Sequence, residues 1–155
     1  MNKYMEIANH LAQENIHNNH GGPFGAVIVK DEKVIGYGNN QVIKNNDPTA
    51  HAEIIAIRNA CQEIHSFDLT GCELYTTCYP CPMCLSAIIW SNIKTIYYGN
   101  TKEDAADIGF CDNAIYQYIK SNNKDQSFLK LIPLDREKTI KTFEDFKNKS
   151  EKTMY

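Results

Sequence analysis

The sequence has no apolar run approaching the roughly 20 residues that span a bilayer, which argues against a membrane protein. Its first 17 residues, MNKYMEIANHLAQENIH, are amphipathic and carry Glu6 and Glu14, without the unbroken apolar stretch and small-residue cleavage site of a secretory signal. A soluble, cytoplasmic protein is expected. Thiols stay reduced there, so the six cysteines are not expected to form a disulfide framework. Positive charge is also short: 16 Lys and Arg stand against 19 Asp and Glu, a net charge of -3. Such a chain has no global attraction for phosphate backbones, and a nucleic-acid partner is disfavoured. Repeats and low-complexity blocks are missing too. The segment SNNKDQS at 121–127 reads as the one obvious flexible loop and is too short to separate domains. A chain of 155 residues can bury its own core, so a single domain over 1–155 is expected.

What is present reads as alternating helices and strands. Tyr4, Ile7, Ala8 and Leu11 recur at helical spacing over residues 3–17. AVIVKDEKVIGYGN reads as two antiparallel strands joined at KDEK. A helix is expected from NDP onward to about Ile64, capped by Asp47 or Thr49 with Pro48 in its first turn. ELYTT, PMCLSAIIW and KTIYYGN form a strand, helix, strand unit with parallel strands. NAIYQYIK reads as helix, FLKLIPL as a fifth strand, and DREKTIKTFEDFKNKS as a last helix with apolar Ile140, Phe143 and Phe146. The expected fold is α/β: a three-layer α/β/α sandwich around a mixed five-stranded sheet.

Three cysteines crowd into TTCYPCPMC at 76–84, while Cys61, Cys72 and Cys111 stand apart and are expected to be structural. A redox pair would open the first helix of a thioredoxin-like unit, but this pair follows the third strand. An iron–sulfur run would need a cysteine at 88, where Ile88 stands. A further metal ligand comes from HAE at 51–53. Residues two apart in mid-helix point about 200° away from each other, but in the first turn His51 and Glu53 can both face a point beyond the helix tip. Cys81 and Cys84 likewise open a helix, with Pro82 in its first turn. Two helix N-termini would converge, each favouring thiolate over thiol. Zinc suits an N,S,S donor set. If Cys78 also ligates, the site is a closed structural zinc; Cys78 ends the strand ahead of the Tyr79–Pro80 turn and is expected to point elsewhere, leaving one position open for catalysis.

HAE followed by PCPMC resembles the H-x-E…P-C-x-x-C signature of the zinc-dependent cytidine and nucleobase deaminases. The resemblance implies one zinc ion per subunit held by His51, Cys81 and Cys84, with Glu53 as the proton shuttle of a hydrolytic deamination. Through GGPFGAVIVKD, NDPTAHAE, CPMCLSAIIW and GFCDNAIY it narrows to the bacterial guanine deaminases, over essentially the whole chain. That family implies a small purine base as substrate, with Phe24 and Trp90 lining the pocket and Asn40 offering hydrogen bonds. Asp112 would be a second carboxylate, beside Phe110, that binds the purine edge or helps protonate the departing amine. As a residue, Asp112 reads equally as a helix N-cap before NAIYQYIK. The family also implies a homodimer with a swapped C-terminal segment, Tyr155 closing the partner's site. Two positions depart from the family: Tyr79, where many relatives have Glu, and Cys111, where an acid is common. A tRNA adenosine deaminase, another small-base deaminase and a zinc-stabilised binding module remain as alternatives.

Overall fold

Asn2 accepts the backbone N–H groups of Tyr4 and Met5 through its side chain and so starts α1 (Lys3–Asn18). The computed structural model describes residues 2–155. Tyr4, Ala8, Ala12 and Asn15 form the buried stripe of α1. After it, β1 (Gly25–Lys30) and β2 (Lys33–Asn39) make the expected antiparallel hairpin. Its two-residue turn holds Asp31 and Glu32 at φ 48° and 63°, the left-handed conformation such turns require. The Tyr4 hydroxyl donates to the Glu32 carbonyl at 2.9 Å, so α1 braces a turn that lacks the usual glycine.

A one-turn helix, α2 (Val42–Asn45), precedes α3 (Ala52–Glu63). The start of α3 corrects the sequence reading. Neither Asp47 nor Thr49 caps it, because Asp47 accepts the Thr49 N–H and hydroxyl at 2.8 and 2.7 Å and closes a local turn. His51 is the N-cap instead. β3 (Glu73–Cys78), α4 (Pro82–Trp90) and β4 (Thr95–Asn100) form the strand, helix, strand unit, with β4 parallel to β3. A short helix the sequence reading missed, α5 (Lys102–Asp107), follows a reciprocal cap between Thr101 and Asp104.

The sheet runs β2-β1-β3-β4, with β1 antiparallel to both of its neighbours, so it is mixed as expected. It has four strands among the described residues, not five. Strand alternation sorts the core onto two faces. Ala26, Ile28 and Leu74 pack with Ala52, Ala56 and Ala60 of α3 and Ile88 of α4. Val27, Val29 and Tyr75 face the other way, against Tyr4, Ile7 and Leu11 of α1. Small residues let α3 lie close to the sheet: a Cβ on Gly38 would collide with the Ala52 carbonyl oxygen, and one on Gly36 would sit 2.8 Å from Ala60 Cβ.

The chain divides into two compact units, one ending at Asp112 and one spanning Asn113–Tyr155. The second holds α6 (Asn113–Lys120) and α7 (Arg136–Asn148), both expected. Within it Tyr118 packs on Phe128, with ring centroids 5.3 Å apart, and its hydroxyl donates to the Leu129 carbonyl. The expected fifth strand is irregular chain at 128–134, with Leu131, Ile132 and Leu134 exposed. β-propensity describes how a side chain fits a pleated, half-buried surface; this segment has no ladder partner, and Pro133 lacks an N–H to give one. On α7, Phe143 and Phe146 are exposed and no residue is buried. No helix of the described residues is long and apolar enough to cross a membrane.

Candidate metal centre

The site forms where two helices of the first unit begin. His51 is the N-cap of α3 and Cys81 the N-cap of α4, and neither side chain caps its own helix. Their side chains are therefore spare for each other. His51 Nδ1 lies 3.6 Å from Cys81 Sγ and 3.6 Å from Cys84 Sγ. Donor atoms of these three residues all lie within 4.8 Å of one another, the one such group among the described residues. An imidazole nitrogen and two sulfurs at this spacing, with Cys84 buried and His51 and Cys81 partly so, fit a zinc ion.

Electrostatics agree with a gap meant for a cation. Cys81 is pulled down to about 4, first by the hydrogen bond from Cys84 and next by that from His51, against the cost of burial. Cys84 is pushed well above the thiol range by the same bond to Cys81 and by burial. The Cys81 sulfur raises His51 above an ordinary imidazole. Without metal the cluster thus shares its protons among ligands that a cation would strip of them.

Glu53, in the first turn of α3, is only 6% exposed, and burial raises its carboxyl above the usual range. Thr76 donates its hydroxyl to Oε1 at 3.3 Å, and the Cys84 thiol lies 3.4 Å from Oε2. The sequence reading missed Thr76, although alternation along ELYTTC puts it on the same face as Leu74, which packs against α3.

Cys78 takes no part in the cluster: its thiol donates to the Thr101 carbonyl oxygen, and burial pushes it up to about 11. The described residues therefore gather three ligand side chains, not four. All six cysteines are free; Cys72 is buried and Cys61 half-buried, but Cys111 is exposed, contrary to the structural role expected of it.

Of the expected substrate contacts, Phe24 and Phe110 meet edge to face, centroids 5.0 Å apart. Asn40 is buried, with Oδ1 accepting the Val42 N–H at 3.1 Å. Burial, and after it the nearby Cys81 charge, raises the Asp112 carboxyl. Trp90 ends α4, six residues beyond Cys84, and is 70% exposed. Tyr155 belongs to the second unit and is exposed.

Comparisons with known proteins match this picture. Residues 1–100 match the cytidine and deoxycytidylate deaminase zinc-binding region. The guanine deaminase of Bacillus subtilis is 42% identical over 150 residues, 96% of each chain. An X-ray structure of that species' guanine deaminase superposes with a TM-score of 0.91 at 40% identity, covering 100% of this chain and 99% of the other. The tRNA-specific adenosine deaminase of Buchnera aphidicola is 50% identical but over 82 residues, 53% of this chain and 54% of its own. With a match across its first 100 residues and a relative aligned almost end to end, the chain belongs to the cytidine and deoxycytidylate deaminase zinc-binding family.

Proposed function

We propose that the protein is a zinc-dependent guanine deaminase that hydrolyses guanine to xanthine and ammonia, a step of purine breakdown or salvage. One observation carries the substrate: similarity to a guanine deaminase runs through both units of the chain, whereas similarity to the tRNA enzyme stops at about half of it. His51, Cys81 and Cys84 would hold the metal, which when bound supplies a Lewis acid that brings the pKa of water to about 7.

The remaining work falls to side chains. Glu53 takes the proton of the attacking water on a carboxylate oxygen and passes it to the ring nitrogen beside the amine-bearing carbon. Water oxygen bonds to that carbon, the remaining hydroxyl proton is relayed to the amine, and the carbon–amine bond breaks to release ammonia as the carbonyl forms. Burial raises the Glu53 carboxyl above its usual range, which suits a group that takes up a proton and gives it back. Thr76 aims one carboxylate oxygen. The Phe24 and Phe110 rings, set edge to face, offer apolar surface for a purine, and Asn40, with Oδ1 already engaged, keeps its amide hydrogens for a purine acceptor. Asp112, whose carboxyl burial raises, is the second carboxyl proposed to relay that proton to the leaving amine.

The proposal extends to a cytoplasmic homodimer of single-domain subunits. Trp90 would line the base pocket, and Tyr155, at the end of the second unit, would close the partner's. The exposed apolar residues of 128–134 and α7 favour such an exchange.

The test is ammonia release by zinc-analysed protein from guanine, guanosine, adenine, cytosine, cytidine and a tRNA anticodon stem-loop. Turnover of guanine above all others is expected. Turnover of another member instead would overturn the substrate, and none at all would revive a purely structural zinc.

A further inference from the structure

One buried polar side chain lies outside the ligand cluster and yet binds two backbone segments of the proposed pocket. Asn15 occupies a position on α1 that continues the stripe of Tyr4, Ala8 and Ala12, where packing against the sheet calls for an apolar residue. It is only 4% exposed. Burying a carboxamide is costly unless every hydrogen bond is made, and here they are. Nδ2 donates one hydrogen to the Gly22 carbonyl at 2.8 Å and the other to the Asn40 carbonyl at 2.7 Å. Oδ1 accepts from Asn39 Nδ2 at 3.1 Å. Two carbonyl oxygens can only accept, so the orientation of the amide is fixed by its partners.

The two acceptors belong to the two segments that carry the proposed purine contacts. Gly22 packs beneath the aromatic pair: a Cβ on it would sit 2.7 Å from the Phe24 ring and 2.8 Å from the Phe110 ring. The Asn40 backbone carries the carboxamide whose Oδ1 is held by Val42, and its own N–H donates to the Phe24 carbonyl at 3.0 Å. The Asn39 side chain continues the network, accepting from Gln41 Nε2 at 3.1 Å.

We infer that Asn15 is a positioning residue for the purine pocket: its carboxamide clamps the two backbone segments that carry Phe24 and Asn40 at a fixed spacing. Asn15 thereby sets how tightly the base is held and not how fast it is turned over. The inference rests on the reading of Phe24 and Asn40 as purine contacts. Neither His51, Glu53, Cys81 nor Cys84 touches the network, so its loss leaves the metal and the proton shuttle in place.

The experiment compares zinc-loaded wild type with Asn15→Leu, which keeps the branched shape without the hydrogen bonds, and Asn15→Ser, which leaves room for a water and guards against misfolding of the first. Val29→Ala, a cavity in the layer between α1 and the sheet, serves as a control for lost stability. Guanine kinetics, zinc content and amide hydrogen exchange are read on all four. Expected are a KM raised by about tenfold to a hundredfold in the Asn15 variants, with kcat and zinc within about twofold. Exchange at the Asn40 and Val42 amides should quicken by about tenfold while the Ile55 amide in α3 stays protected. Val29→Ala should lower the melting temperature without moving KM. Unchanged KM, a fall in kcat with loss of zinc, or a KM rise equalled by Val29→Ala would overturn the inference. Exchange decides independently of substrate: if wild type does not turn over guanine, the guanine reading fails, and undisturbed Asn40 and Val42 amides would still refute the clamp.

Discussion

His51 and Cys81 are both N-caps that do not cap, and this explains why a helix-start residue can serve as a metal ligand. The contrast with Cys78 is testable. Its thiol is committed to the Thr101 carbonyl, so Cys78→Ala should keep one zinc per chain and lose about 1 kcal/mol of stability. Cys81→Ala should lose the metal. Zinc analysis after desalting separates the two, and loss of metal from the Cys78 variant would contradict the three-ligand site. Protons supply a second check. His51 and Cys84 are both raised in the metal-free cluster, so metal must displace protons from them. Raising the pH removes those competitors. Apparent zinc affinity should therefore climb from about pH 6 to about pH 8, by roughly tenfold per pH unit for each proton displaced. A competition titration with a chromogenic chelator reads it, and a flat profile would argue against these ligands. At this scale the three clustered ligands, the place of Glu53 beside them and the turn of Cys78 away from them were legible in residue types and spacing. Thr76 could have been found only by strand alternation, and Asn15 not at all, because an asparagine in a helix carries no signal until its partners, distant in sequence, are brought to it.

The distance between α3 and the sheet rests on glycines. A Cβ on Gly38 would meet the Ala52 carbonyl oxygen and the Ala56 nitrogen, both backbone atoms in the turns that follow His51. Backbone cannot swing aside as a side chain can, so Gly38→Ala must push the helix off the strand. It should cost about 1–3 kcal/mol and weaken zinc retention as well, read by thermal unfolding and metal content together. Full zinc affinity in a destabilised variant would show that α3 tolerates the shift. The hairpin, the parallel pair and most helices followed from periodicity and turn residues. The start of α3 did not, because Asp47, Pro48 and Thr49 are good cap and first-turn residues that are spent on a turn of their own. The fifth strand failed for a different reason: FLKLIPL has strand-forming residues, but a strand is defined by its partner, which propensity alone does not supply.

As a whole molecule the chain pairs a unit that carries the metal cluster with a second unit rich in exposed apolar side chains. If those residues meet a second copy, scattering or sedimentation should give twice the 17.7 kDa chain mass. Deleting residues 152–155 should cut kcat/KM for guanine by at least about tenfold with zinc content unchanged. Kinetics unaffected by the deletion would remove Tyr155 from the site. Sequence could not reach this level, because an apolar stripe on a charged helix reads the same whether it docks on its own sheet or on another chain.

The most direct measurement of the zinc deaminase reading is conversion of guanine to xanthine by wild type and by Glu53→Gln, each at one zinc per chain. Glu53→Gln keeps the shape and the Thr76 partner but cannot carry a proton between water and the ring. Zinc should remain bound while turnover falls by at least about a hundredfold to ten-thousandfold. A zinc-loaded Glu53→Gln protein that still converts guanine at the wild-type rate would contradict the mechanism at its centre.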